Sequence, residues 1–202
     1  ASNEPINIFN SVFYNNETKA SEGSVEGAIM IDGGNHQNGN HSLIVNNTIV
    51  NNYASTSASW GNTSALYYRD WTGQGQEKHT LYAFNNIVYG NLEGQDLVAI
   101  SVHGSDAEIR ADYNLLQNLD NIESSANLSF DYSYNFDPAF KDSANGDFSL
   151  SNLSQALGRG IANWDTFKSL KAPAYDILGV ERPNPVGSNP DLGAYENTLG
   201  KS

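Results

Sequence analysis

The chain has 202 residues, a net charge of −13 and no cysteine, which suits one domain with a substantial core and rules out disulfides and thiolate metal sites. Ten Lys and Arg stand against 23 Asp and Glu, so the surface repels nucleic acid and anionic lipid, and neither is expected as a partner. No apolar run approaches the ~20 residues that cross a bilayer, so membrane insertion is not expected either.

The chain opens at Ala1 with no hydrophobic leader, as expected of a mature or excised form. Its 27 asparagines and 18 glycines are residues that tolerate left-handed corners, which points to many short strands joined by turns rather than to helices. The first strand-like phrase is IFNSVFYNN, residues 8 to 16. GAIMIDGG follows at 27 to 34, then LIVNNTIVNN at 43 to 52. SALYYRDW (64 to 71) and AFNNIVYGN (83 to 91) repeat the alternation of the two kinds of phrase. DLVAISVHG (96 to 104) and a worn copy, ADYNLLQN (111 to 118), complete it. Asn47 to Asn86 is 39 positions and Asn86 to Asn114 is 28, spacings in the range of stacked repeat units.

One unit therefore reads as three short strands with asparagine corners. The expected fold is an all-β, right-handed, single-stranded parallel β-helix of about three to four rungs. Equivalent asparagines would lie above one another and bond through their amides, while Ile, Val and Phe form apolar columns inside. An antiparallel sandwich would need Asn-Gly hairpin signals between paired phrases, and the two Asn-Gly steps, at 38–39 and 145–146, do not lie there.

Residues 1–118 are assigned to rungs and 119–202 to an irregular C-terminal cap of the same domain, because 119 to 196 lack the refrain. The cap is expected to protect open strand edges. Within it NWDTFKSL (163 to 170) reads as one short helix with Asn163 or Asp165 near its N-cap, and DLGAYE (191 to 196) as a final strand. Arg182 reads as a structural arginine paired with Asp176, Asp191 or Glu196. Ile6 already belongs to a rung, so further rungs or a partner chain are expected at the N-terminal end.

Phe13-Tyr14-Asn15-Asn16 followed by EGAI (26 to 29) resembles the FxxN and GGAI repeats of bacterial surface β-helix proteins, including polymorphic outer-membrane adhesins. FDPAFKDSANGDFSLSNLSQALGRG (136 to 160), YDILGVERP (175 to 183) and PDLGAYE (190 to 196) resemble the closing segment of secreted parallel β-helix proteins of the pectate-lyase-like superfamily. The chain departs from that pattern at Gln155, where proline is usual, and at Gly158, where aspartate is common. The resemblance implies the architecture and a secreted or cell-surface location; the functions of such proteins are too diverse for it to imply an activity.

Alternation in the GAIMIDGG-type phrases directs Ile29 and Ile31, Leu66 and Tyr68, and Val98 and Ile100 inward. The outward set is Met30, Asp32 and Gly34, then Tyr67, Arg69 and Trp71, then Ala99, Ser101 and His103. Asp32, Tyr67, Arg69, Trp71 and His103 thus form a candidate glycan-binding patch, with aromatic faces for sugar CH groups and a polar rim for hydroxyls. The plainer reading has Tyr67 and Trp71 packed under the loop at 72 to 79, His103 in an ordinary turn, and Arg69 with Asp32 as a weak surface ion pair.

Two classes of function fit. The favoured one is a non-catalytic extracellular or cell-surface protein for adhesion, glycan binding or assembly. The alternative is a polysaccharide lyase or glycoside hydrolase, which needs a base with a charge neutraliser or two carboxylates. Only Arg69 sits plausibly for the first, with Lys78 and His79 on the next loop, and Asp32 lacks an acidic neighbour for the second; no catalytic residue is assigned. No cofactor is required; DSANGD (142 to 147) has the oxygen-rich composition of a calcium loop but reads as a turn.

Overall fold

The structure is a computed structural model that describes residues 5–18, 27–32, 41–54, 65–70, 79–93, 99–104, 107–119, 127–165 and 170–199. The first pass of chain forms β1 (Asn7–Phe9), β2 (Val12–Tyr14), β3 (Glu17–Thr18) and β4 (Ile29–Asp32). The second forms β5 (Ser42–Val45), β6 (Thr48–Val50), β7 (Tyr53–Ala54) and β8 (Leu66–Arg69). The third forms β9 (His79–Phe84), β10 (Ile87–Tyr89), β11 (Leu92–Glu93) and β12 (Ile100–His103). A fourth adds β13 (Ala107–Arg110) and β14 (Leu115–Leu116), and β15 (Leu128–Ser129) begins a fifth.

Every one of these strands pairs in parallel with its counterpart in a neighbouring pass. Four parallel sheets result: sheet A (β1-β5-β9-β13-β15), sheet B (β2-β6-β10-β14), sheet C (β3-β7-β11) and sheet D (β4-β8-β12). Sequence reasoning expected three strands per pass; the two-residue strands of sheet C are a fourth, too short for any alternation to reveal. The side chains that face inward stack in columns, as Phe13–Ile49–Val88–Leu116 do in sheet B and Ile29–Leu66–Ile100 in sheet D. They share one core cluster, and each fully buried aliphatic side chain contributes about 1.5–3 kcal/mol.

The doubled asparagines divide two tasks. The first position of each step takes the left-handed corner: Asn10 (followed by Ser11), Asn46 and Asn85 between sheets A and B, and Asn15 and Asn51 between B and C, all with φ between 46 and 58. Asn pays little for that conformation because its short amide bonds locally. The second points inward and builds a ladder. The backbone N–H of Ser11 donates to Asn47 Oδ1, that of Asn47 to Asn86 Oδ1 and that of Asn86 to Asn114 Oδ1, each at 2.9 Å. Asn47 Nδ2 and Asn86 Nδ2 also donate to the next ladder oxygen, at 3.1 and 2.9 Å, and to the carbonyls of Ile8 and Ile44. Asn16, Asn52 and Asn91 repeat the device at the next corner. A buried amide with every group satisfied is a strong fixing of register; the same amide unsatisfied would cost 1–3 kcal/mol per group.

The segment assigned to a cap has a lateral position. β16 (Phe140–Asp142) and β17 (Asp147–Leu150) form an antiparallel hairpin. Phe148 and Leu150 share a cluster with Val50, Ile87 and Leu115 on the outer face of sheet B, and Phe148 reaches the first pass at Tyr14, 5.2 Å between rings. DSANGD closes that hairpin as a single 3-10 turn, Ser143–Asn145, with Gly146 left-handed. The expected helix at 163 to 170 is overturned: β18 (Asn163–Asp165) and β19 (Leu170–Lys171) pair antiparallel. Trp164 lies edge-on to Tyr82 and tilted on Phe84, and Leu170 joins them over the outer face of sheet A, so tertiary packing overrides a weak local helix signal. DLGAYE is not a strand either. Its backbone turns at Gly193, φ 86, so that Gly193 N–H donates to Asn85 O and Ala194 N–H to Thr48 Oγ1.

Candidate functional site

The corner asparagines explain how the flank is held. Asn10 Nδ2 donates to Tyr175 O at 2.7 Å, Asn46 Nδ2 to Asp191 O and Gly193 O at 3.1 Å each, and Asn85 Nδ2 to Ile161 O at 2.8 Å. Asn85 Oδ1 accepts the Ile161 N–H in return. One column of outward amides, one per pass, thus clasps the C-terminal segment. Behind it lies the expected structural arginine. Arg182 Nη1 is 3.3 Å from Glu196 Oε2, both buried, and also donates to Asp191 O at 3.1 Å. Asp176 accepts the N–H groups of Leu178, Val180 and Glu196; Asp191 accepts those of Gly158 and Asn197. Burial first, then the charge of Asp191, pushes Glu196 up to about 7. Asp176, Asp191 and Glu196 thus each accept backbone N–H groups and hold the loops of the flank.

Sheet D carries the patch expected from sequence. Asp32, Arg69 and His103 lie side by side on β4, β8 and β12, in one row of the register. His103 is exposed and Arg69 half-buried; for Asp32 only the backbone is described. Neighbouring parallel strands are about 4.8 Å apart, so one small ligand can touch all three positions. The next row is Met30, Tyr67 and Ser101. Here alternation misleads: Tyr67 is turned away from the interior column yet only 1% exposed, so its ring is not an open sugar-stacking face. Trp71, Gly34, Val98 and Lys78 lie outside the described residues.

Asp70 is fully buried and receives a hydrogen bond from His79 Nδ1. His79 is itself 3% exposed, so the pair closes the corner between β8 and β9 from inside and is not presented to a substrate.

A further cluster escaped sequence reasoning. Asn114 N–H donates to Ser133 Oγ and Leu115 bridges Tyr134 in parallel, so residues 131 to 134 are a fifth copy of the refrain, DYSY beneath DYNL. Tyr113 and Tyr132 occupy the corner that Asn10, Asn46 and Asn85 occupy above, each with φ 57. A tyrosine in that conformation costs on the order of 1–2 kcal/mol. Their rings stack at 5.3 Å and 12°. Asp112 is pushed up to about 6, first by burial and then by the charge of Asp131, against the pull of Arg110, and its buried Oδ1 has no hydrogen-bond partner. The Tyr113 phenol is raised by burial and then by Tyr132, Asp112 and Tyr134. The repeated Asp-Tyr step at 112–113 and 131–132 was the signal available in the sequence.

An open cleft of about 310 Å3 in the flank is lined by Pro183, Pro185, Val186 and Leu199 with Glu181, Asn184 and Thr198; it holds no acid–base pair. Among the described residues no three His, Asp or Glu side chains gather as a metal site, and no helix is long and apolar enough to cross a membrane. Comparison with protein-family models, with curated proteins and with solved structures gave no match to this chain.

Proposed function

We propose that the chain is a right-handed single-stranded parallel β-helix of the pectate-lyase-like kind, working outside the cell or at its surface as a non-catalytic protein for adhesion, glycan binding or assembly. Four parallel sheets visited in constant order and two inward asparagine ladders support the coil. β1 to β4 are edge strands of their sheets, which suits further turns or a partner chain stacked on that end.

The observation that carries the ligand reading is the row Asp32–Arg69–His103. The half-buried Arg69 and the exposed His103 lie on adjacent strands of one sheet, with an acidic residue at the same register position beside them, an arrangement that suits recognition of several hydroxyls of one glycan at once. A glycan array probed with the native chain and with Arg69→Ala and His103→Ala tests it. Hits that both variants lose support the reading; an array with no hits leaves only the scaffold role.

A polysaccharide lyase is the second reading, favoured by one feature: a half-buried guanidinium with a histidine on the neighbouring strand, residue types that neutralise and deprotonate a uronate. Ultraviolet absorbance of unsaturated uronate products, formed by the native chain and abolished in Arg69→Ala, would decide for it.

A further inference from the structure

The corner between sheets A and B changes character along the stack. In the first three passes it carries Asn10, Asn46 and Asn85, whose amides are taken up by the C-terminal flank. In the fourth and fifth it carries Tyr113 and Tyr132 in the same left-handed conformation, which penalises a bulky side chain. Asparagine would fit both positions without strain. Strained residues of this kind cluster at active sites, ligand clamps and switch regions.

The ring of Tyr132 is held parallel to Tyr113 on one side and is 70% exposed, so its other face is presented to solvent. Asp131, next to it, is exposed as well. Tyr134, two residues on, donates its hydroxyl to Arg159 O, and the exposed Arg159 guanidinium lies 5.5 Å from the Tyr134 ring centre. A flat aromatic face, pre-ordered by stacking and next in the chain to the exposed Asp131, matches a sugar ring: CH groups pack on the face and hydroxyls bond polar groups beside it.

We propose that the Tyr113–Tyr132 stack is a second binding platform, specific for a neutral sugar ring of a polysaccharide. Asp112 and Asp131 stand against a uronate here, as does the overall charge of −13. The platform shares its ligand class with the reading of sheet D but none of its residues, so either can fail alone.

Affinity electrophoresis of the native chain tests it, in gels containing galactomannan, xylan, mixed-linkage β-glucan or polygalacturonate. The key variant is Tyr132→Asn, which suits the left-handed corner while removing the ring; Tyr132→Ala and Arg69→Ala accompany it. Retardation in at least one neutral gel is expected, weakened about tenfold or more in both Tyr132 variants and unchanged in Arg69→Ala. The urea midpoint of Tyr132→Asn is expected to equal or exceed that of the native chain. The proposal is overturned if no neutral polysaccharide retards the native chain, or if only polygalacturonate does. It is overturned equally if Tyr132→Asn binds normally, or if its urea midpoint falls, which would make the stack a structural element. Binding lost in Arg69→Ala but kept in Tyr132→Asn would assign the glycan to sheet D instead.

Discussion

Asp70 and His79 meet inside the stack, where His79 Nδ1 donates to the Asp70 carboxylate and neither side chain reaches solvent. The contact spans the corner at which the chain leaves sheet D for sheet A, and Tyr68 Oη donates to His79 O at 3.4 Å from the same interior. A buried pair of this kind costs most when one partner is removed, because the survivor is left desolvated. His79→Ala is therefore expected to lose about 3–5 kcal/mol, and Asp70→Leu with His79→Phe to lose less than His79→Ala alone. Urea unfolding measures both; a His79→Ala loss below ~1 kcal/mol would place the pair among the weak interactions.

Adjacent asparagines should respond in opposite ways. Asn51 is an exposed corner residue with φ 54, and glycine adopts that conformation freely, so Asn51→Gly is expected to stay within about 0.5 kcal/mol of the native chain. Asn52 is 5% exposed and bonded to Asn16, Asn91, Phe13 and Val50. Asn52→Ala strands the partners above and below and is expected to lose about 2–4 kcal/mol. Equal effects at the two positions would contradict the division of labour between corner and ladder.

Gly104 ends β12 beside the buried acid. Its φ is 104, and a Cβ there would stand 1.8 Å from Asp70 O, a backbone atom that cannot swing aside. Gly104→Ala is expected to destabilise by several kcal/mol, on the order of 3 or more. Thermal unfolding of the purified variant reads this directly; a native-like midpoint would mean that the corner repacks.

What the sequence disclosed and what it hid have separate causes. Asn46-Asn47 and Asn85-Asn86 were legible because a corner and a ladder each demand the same residue, side by side. Sheet C was hidden because Glu17–Thr18, Tyr53–Ala54 and Leu92–Glu93 are too short to alternate. The helix expected around Trp164 failed because its partners, Tyr82 and Phe84, belong to β9, and no local pattern reports a distant contact. Alternation placed Arg69 and His103 in the outward set but could not tell that Tyr67, in the same set, is covered. Tyr113 and Tyr132 were passed over because a refrain defined by asparagine makes a tyrosine copy look like decay.

The fold is also expected to weaken as pH rises through neutrality. Glu196 stands at about 7 in the folded chain against an ordinary 4.5, and Asp112 at about 6 against 3.8. Both are raised, so the folded chain holds protons that the unfolded chain has already released. Their stabilising effect is complete below the unfolded values and is lost as pH climbs through about 6 for Asp112 and about 7 for Glu196. Asp191, also raised by burial, acts in the same direction. Urea midpoints should therefore fall between about pH 5 and pH 8. General repulsion at net charge −13 would lower them too, but it is spread over the surface and survives a single substitution. Glu196→Gln removes one titrating group from the Arg182 cluster, and its midpoint should vary less across neutrality than the native chain's, whatever its absolute value. Asp112→Asn should flatten the lower part of the same curve. Parallel curves for all three proteins would trace the pH dependence to surface charge and not to these two carboxyls.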